Sequence, residues 1–159
     1  MLERLLLGAL MFWALLSVLF RNTRTNPIAE NLESDLRNFI RRYTYPKSYV
    51  EFWMDVSGME TNNYTSRIFK NNLNPWGMKV AKRRETTQSN SYGLDTWAAY
   101  DSLTDAAQDI CLWMDAVKFS KNISQLDAFV TEMKSKGYFV GESAFTYYQK
   151  VLAQKKIKG

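Results

Sequence analysis

An uncharged apolar run near the N-terminus constrains this sequence more than any other stretch. The run extends from Leu5 to Phe20, with Glu3 and Arg4 before it and Arg21 and Arg24 after it. It is slightly shorter than the roughly 20 residues that span a bilayer as a helix, but arginines at its ends can snorkel to the interface. The run therefore needs an apolar environment, which a membrane or the interior of a protein assembly can provide.

Three interpretations of this run stay open, and an uncleaved signal anchor over residues 1–21 is favoured. A cleaved signal peptide needs a stronger basic start and a small-x-small cleavage site, which Ser17-Val18-Leu19 matches poorly. A helix buried in a larger assembly is the third interpretation. The basic residues after the run favour a cytoplasmic C-terminal part by the positive-inside rule, although translocated domains often override that rule.

The rest of the chain is predicted to form one mainly helical domain. At 159 residues there is room for one ordinary domain and an appendage. The composition is polar around Pro27, so residues 22–30 are predicted to be a linker and residues 31–159 the domain. Apolar residues at helical spacing predict helices over 30–43, 48–59, 102–117 and 123–136, and a final helix through Tyr147 and Leu152, followed by a frayed tail over residues 155–158. The polar segment 78–100 predicts an irregular hairpin, so the fold class is α+β and mostly helical, with a small β-hairpin lobe.

The residue types present exclude several kinds of catalytic site. Histidine is absent, which removes Ser-His-Asp and Cys-His catalysts and histidine-ligated zinc. Cys111 lies in an apolar run, which predicts a buried and inert thiol, and a single cysteine cannot form an intrachain disulfide. No metal-ligand spacing or phosphate-binding loop is found, so no metal or cofactor is expected. Carboxylates are then the natural candidates for proton transfer.

The net charge of +5 favours anionic partners such as nucleic acid, anionic lipid or an acidic cell-wall polymer. Nucleic acid is disfavoured because the aromatic residues do not interleave with the basic ones as a stacking platform requires. The basic group formed by Lys79, Lys82, Arg83 and Arg84 could hold an anionic ligand, or it could be a solvated edge.

Glu60 is the strongest candidate for proton donation. It falls at the C-terminal end of the predicted helix 48–59, where the helix dipole and apolar neighbours disfavour its ionised form. The pKa of this carboxyl should therefore rise, and a carboxylic acid that stays protonated near neutral pH can donate a proton to a leaving group. A solvated glutamate at a helix end is the other interpretation of the same position.

Several short motifs resemble, in their order and spacing, the glucosaminidase domains of bacteria and phages. They are Glu60-Thr61-Asn62-Asn63-Tyr64-Thr65-Ser66, Asn74-Pro75-Trp76-Gly77-Met78-Lys79, Tyr100-Asp101-Ser102-Leu103-Thr104-Asp105 and Leu112-Trp113. The closing Gly137-Tyr138-Phe139 and Tyr147-Tyr148 also fit the family's last segment. Members of that family are peptidoglycan hydrolases of lysozyme-like fold. The resemblance covers the chain from about Tyr43 to Leu152 and leaves out the apolar N-terminus.

The resemblance implies that Glu60 is the general acid that protonates the glycosidic oxygen. The bond cleaved would be the β-1,4 linkage on the reducing side of N-acetylglucosamine. By the same resemblance Trp76 would line the floor of the cleft. Further substrate-binding positions would be Tyr64 and Ser66, which would lie beside the cleft, together with Asn74 and Tyr100.

The sequence departs from the family pattern in two places. Asn62 replaces a glycine two residues after the acid, and asparagine tolerates a left-handed backbone better than most residues do. The family often carries a second carboxylate on the hairpin, for which Glu85 and Asp95 are the candidates here, neither with a clear match. A retaining mechanism needs two carboxyl groups roughly 5 Å apart and an inverting one about 6.5–9.5 Å, while assistance by the substrate's N-acetyl group needs less from the protein.

The sequence thus predicts a peptidoglycan hydrolase that acts on glycan strands of the cell wall, with a bacterial or phage origin. It would be anchored in a membrane by residues 1–21 and face the wall, or be part of a phage virion. The alternative is a catalytically weak or inactive lysozyme-like module that binds glycan or serves as a structural part of a membrane or virion assembly.

Overall fold

The computed structural model describes residues 26–89 and 97–158. Its helices confirm the prediction of a mainly helical fold. The helices of the described part are α1 (Pro27–Arg42), α2 (Ser48–Glu60), α3 (Arg67–Asn72), α4 (Leu103–Ala116), α5 (Leu126–Ser135) and α6 (Ala144–Lys158). The anchor predicted over residues 1–21 lies outside the described residues. Within the described ranges, no helix has the length and apolar character needed to cross a bilayer.

Capping side chains set the starts of α1 and α4. The Asn26 side chain accepts a hydrogen bond from the Ile28 backbone N–H at 3.0 Å, and Pro27 takes the first helical position, where its missing N–H costs nothing. Four residues of the predicted linker, 27–30, are therefore helical. The Ser102 hydroxyl oxygen accepts from the Asp105 N–H at 3.1 Å, as the capping pattern in the sequence predicts.

The C-terminal helix is longer than predicted. It continues to Lys158 because Lys155 reaches back to α2, where its ammonium group lies 2.7 Å from Glu51 and 2.9 Å from Asp55. The prediction of a frayed tail over residues 155–158 is therefore wrong. These contacts help to hold α6 against α2, the helix that ends in Glu60.

An aromatic cluster around Trp53 of α2 forms the centre of the core. The Trp53 ring is fully buried, with its centroid 6.3 Å from Trp76, 6.1 Å from Trp113, 5.2 Å from Phe129 and 5.3 Å from Tyr138. Most of these ring pairs meet edge to face, an arrangement that adds roughly 0.5–1.5 kcal/mol per pair beyond the burial itself. The cluster joins α2, α4 and α5 to the two loops that carry Trp76 and Tyr138.

Cys111 is buried on α4, as its apolar surroundings in the sequence predict. Burial raises the pKa of its thiol, which keeps the thiolate population low.

The segment predicted to be a hairpin forms no continuous strand among its described residues. They form two isolated antiparallel bridges, Lys79 with Trp97 and Ser89 with Ala99. Some side chains of this segment form hydrogen bonds to α4 instead of flanking a strand ladder. The Thr87 hydroxyl, for example, donates to the Asp105 carbonyl at 2.6 Å. Short polar side chains such as threonine can bond to the backbone of a neighbouring element and so compete with the pairing of strands. This is the physical reason that the predicted hairpin does not form a regular ladder.

A buried ion pair fastens this segment to α4. The Arg84 guanidinium donates to both oxygens of Asp109 at 2.6 Å, and Thr86 and Tyr100 donate to the same carboxylate at 2.6 and 2.8 Å. Burial by itself would raise the pKa of Asp109, but the bonds from Arg84, Thr86 and Tyr100 outweigh it and hold the pKa below its ordinary value. The carboxylate is therefore kept ionised inside the protein.

We expect the substitution Asp109→Asn to destabilise the protein by about 3 kcal/mol, because removing one partner of a buried ion pair leaves the other charge uncompensated. Urea denaturation at pH 7 measures the effect. The control is Asp101→Asn, at an exposed position just before α4. It should change the free energy of unfolding by less than about 0.5 kcal/mol. Equal midpoints for the two variants would contradict the structural role given to the pair.

Candidate active site

Glu60 lies at the junction of three parts of the chain. It is the last residue of α2 and is partly buried, and the Tyr147 hydroxyl of α6 donates to its Oε1 at 2.5 Å. The other oxygen, Oε2, faces Gly77: a Cβ atom added to Gly77 would lie 3.1 Å from it. Gly77 also has a φ of +59°, which side chains disfavour, so glycine suits this position both by its backbone and by its closeness to the acid.

Burial raises the pKa of Glu60, and three neighbours adjust it. The hydrogen bond from Tyr147 lowers the pKa, the charge of Glu142 raises it and the charge of Lys150 lowers it, with a net rise above the ordinary glutamate value. This rise in the pKa of Glu60 agrees in direction with the prediction from the sequence, and burial is its main cause. A carboxyl in this setting stays protonated to a higher pH than an exposed one.

Reasoning from the sequence missed the three side chains that control this acid. Tyr147 and Lys150 are on α6, and Glu142 is in the loop just before it, where its Oε2 lies 2.7 Å from the Lys150 ammonium group. They are far from Glu60 in sequence, so no local spacing connects them to it. One signal was available: Tyr147-Tyr148 fits the last segment of the family that the motifs resemble, although the resemblance assigned Tyr147 no role.

The turn after Glu60 adopts the left-handed conformation that the sequence predicts at Asn62. The φ angles of Asn62, Asn63 and Tyr64 are +48°, +54° and +64°. Thr61 stabilises the turn, because its hydroxyl donates to the Ser57 carbonyl at 2.7 Å and accepts from the Tyr64 N–H at 2.8 Å. The chain reverses sharply here, which turns the Tyr64 ring into the core, 5.4 Å from Phe69.

Four of the five residues expected to bind substrate are buried, and their polar groups bond inside the protein. Asn74 donates to the Met78 and Ala98 carbonyls at 2.9 Å, and Trp76 Nε1 donates to the Trp53 carbonyl at 2.8 Å. Tyr64 and Tyr100 are also buried. The Trp76 ring is fully buried and therefore does not line an open floor.

The remaining predicted residues lie elsewhere. Ser66 is half-buried and caps α3, where its hydroxyl accepts from the Phe69 N–H at 3.2 Å. Glu85 is exposed, and no contact with Glu60 brings it to the acid in the described structure. Asp95 lies outside the described residues. Among the carboxylates that the structure does describe, Glu142 is the one whose charge acts on Glu60.

A cleft of about 410 Å³, which we call the basic cleft, adjoins this site. Gly77 and Tyr138 are among its lining residues, and the Tyr138 hydroxyl donates to the Trp76 carbonyl. In the described part of the chain, the lining residues are Gly77, Met78, Lys79, Val80, Ala81, Lys82, Arg83, Arg84, Trp113, Ala116, Val117, Gly137 and Tyr138. Glu60 itself is not in the lining, and Gly77 is the link between the acid and the cleft.

Comparison with known proteins yields one fold likeness. No protein-family model matches the chain, and no curated protein matches it significantly. The fold is similar to a chain in the structure of a type VI secretion system effector-immunity complex from Pseudomonas protegens, with a TM-score of 0.59 and 15% sequence identity over 82% of this chain and 90% of that one. At this identity the likeness concerns the fold alone.

We expect Glu60→Gln to stabilise the protein at neutral pH. A folded-state pKa above the unfolded value means that the native state binds the Glu60 proton more tightly, so the wild type loses stability as pH rises above the unfolded pKa of about 4.3. Thermal unfolding from pH 3.5 to 8 measures the difference in melting temperature. It should be near zero at pH 3.5 and grow with pH; a difference that does not change with pH would contradict the raised pKa.

Proposed function

We propose that the chain is a peptidoglycan hydrolase, an endo-β-N-acetylglucosaminidase in which Glu60 is the general acid. The observation that carries the proposal is a partly buried carboxyl with a raised pKa, hydrogen-bonded to Tyr147 and separated from a cleft by a glycine. In a chain without histidine, such a carboxyl is the side chain best suited to donate a proton near neutral pH. The motif resemblance supplies the substrate and the bond. The proposed activity does not depend on the likeness to the effector-immunity complex.

The reaction needs one proton donor and a source of negative charge opposite it. Glu60 would transfer its proton to the glycosidic oxygen as the bond from that oxygen to the anomeric carbon breaks, and water would complete the hydrolysis and return a proton to the carboxylate. Glu142 joins Glu85 and Asp95 as a candidate for the second carboxylate, supported by its effect on Glu60. Assistance from the substrate's own N-acetyl group is the route that needs less from the protein, because that group takes the place of a nucleophilic carboxylate.

The proposed location rests on the apolar run at residues 5–20, which lies outside the described part. An anchor in a membrane, with the domain facing the cell wall, suits a wall hydrolase. A place in a phage virion, with the run packed against other subunits, is the alternative.

One observation favours the second function, a weak or inactive glycan-binding or structural module. Tyr64, Asn74, Trp76 and Tyr100 are buried, so the described structure offers substrate fewer of the expected contacts than the motifs imply. Binding to insoluble peptidoglycan without release of reducing ends would support this function, and robust turnover would exclude it.

Substitution of Glu60 by glutamine should reduce the release of reducing ends from purified peptidoglycan by roughly 100-fold or more, because general acid catalysis contributes about that factor. The control is Glu30→Gln, at an exposed position on α1, which should keep wild-type activity. Both proteins should give the same helical circular dichroism spectrum. Unchanged release by the Glu60 variant would remove this residue from the mechanism.

The pH profile of activity should respond to Tyr147→Phe. The hydrogen bond from Tyr147 lowers the pKa of Glu60, so its loss should raise that pKa and move the alkaline limb of the rate profile to higher pH. Phenylalanine keeps the stacking of this ring on Phe139, with centroids 4.1 Å apart. Tyr148→Phe, at the neighbouring position, is the control. A shift to lower pH, or a drop in rate at every pH without a shift, would contradict the role given to Tyr147.

A further inference from the structure

The basic cleft has two chemically different walls. One is the segment 79–84, which carries four cationic side chains, while the facing residues Trp113, Val117 and Tyr138 present aromatic and aliphatic groups. Among the described residues, none that lines the cleft is acidic. A volume of about 410 Å³ is within the range of sites that hold small molecules or short segments of a polymer. The cleft therefore suits a ligand with an apolar body and a negative charge.

Two of the four cations are already engaged. Arg84 is held by Asp109, and Lys79 lies over the Trp97 ring with its ammonium group 3.1 Å from the ring centroid. Lys82 and Arg83 are exposed and form no ion pair with any other residue of the described ranges. Of the four cationic side chains on this wall, Lys82 and Arg83 are therefore the two best placed to neutralise a bound anion.

The backbone that carries Lys82 and Arg83 is fixed on both sides. Before them, the Ala81 N–H donates to the Gln88 side chain at 3.0 Å, and after them the bidentate pair of Arg84 with Asp109 ties the segment to α4. A cation on an anchored loop loses less freedom on binding than one on a mobile tail. This anchoring distinguishes the pair from an ordinary solvated basic edge.

We propose that the basic cleft binds a carboxylate of the peptide stem that peptidoglycan strands carry, through Lys82 and Arg83. This inference rests on the proposed function, because Gly77 lies against the Glu60 carboxyl and also lines the cleft, so a strand bound at Glu60 would bring its stems near the cleft. Stem peptides combine carboxylates with aliphatic side chains, which matches the two walls. The cleft would make the protein select strands that still bear stems.

The test measures binding of soluble glycan strands to the full chain carrying Glu60→Gln, so that cleavage does not consume the ligand. Two strand preparations are compared by titration calorimetry, one with peptide stems and one freed of them enzymatically. We expect the stem-bearing strands to bind about fivefold tighter at low salt, a preference that falls as salt screens the exposed charges. Lys82→Gln/Arg83→Gln should abolish the preference and leave binding of stripped strands unchanged.

The matched control is Arg42→Gln/Lys47→Gln, which removes one arginine and one lysine at exposed positions outside the cleft and should keep the preference. Equal binding of the two strand preparations, or an unchanged preference in Lys82→Gln/Arg83→Gln, would overturn the assignment. Tighter binding of a phosphate polymer such as teichoic acid, lost in the same variant, would also overturn it in favour of phosphate.

Cleavage assays on the protein with Glu60 intact separate this inference from the proposed function. Release of reducing ends from both strand preparations at equal rates refutes stem recognition and leaves the hydrolase intact. A stem preference in binding, with no release from either preparation, refutes the hydrolase and leaves the cleft as a binding site.

Discussion

The position of the Trp76 ring is the constraint on which the candidate site depends. The ring is fully buried, and its Nε1 donates to the Trp53 carbonyl of α2 at 2.8 Å. The Trp76 carbonyl in turn accepts from the Tyr138 hydroxyl. One residue is thus tied both to the helix that ends in Glu60 and to the loop before α6. Because Gly77 follows directly, its approach to the Glu60 carboxyl is set by the core and not by a mobile loop.

The electrostatics of Glu60 are a balance between burial and three side chains from the C-terminal part of the described chain. Burial and Glu142 favour the neutral acid, whereas Tyr147 and Lys150 favour the carboxylate. Since Lys150 also pairs with Glu142 at 2.7 Å, it offsets some of the charge that Glu142 places near the acid. An acid held between opposing influences of this kind can be shifted in either direction by a single substitution.

Local features of the fold could be predicted from the sequence, and features that depend on distant contacts could not. The start of α2 at Ser48, the cap at Ser102 and the left-handed backbone at Asn62 follow from residue type and helical spacing. The position of Glu60 at a helix end and the direction of its pKa shift also follow from the sequence, whereas its role as a proton donor stays a prediction. The burial of Trp76, the extension of α6 past Lys155 and the contact of Tyr147 with Glu60 were missed, because each depends on residues brought together only by the packing of the whole domain. The expected hairpin failed for a related reason: Thr86 and Thr87 bond to α4, which neighbours them only in the folded chain.

The separation of Glu60 from Tyr147 by 87 residues also sets an order of events during synthesis. At translation rates of about 5–20 residues per second, the ribosome needs roughly 4–17 seconds after making Glu60 before it reaches Tyr147. During that interval α2 has no α6 to pack against, and the carboxyl lacks both its hydrogen bond and its surrounding charges. The candidate site is therefore assembled late, by closure of a long loop, and a ribosome-bound chain that has not reached residue 147 cannot yet contain it.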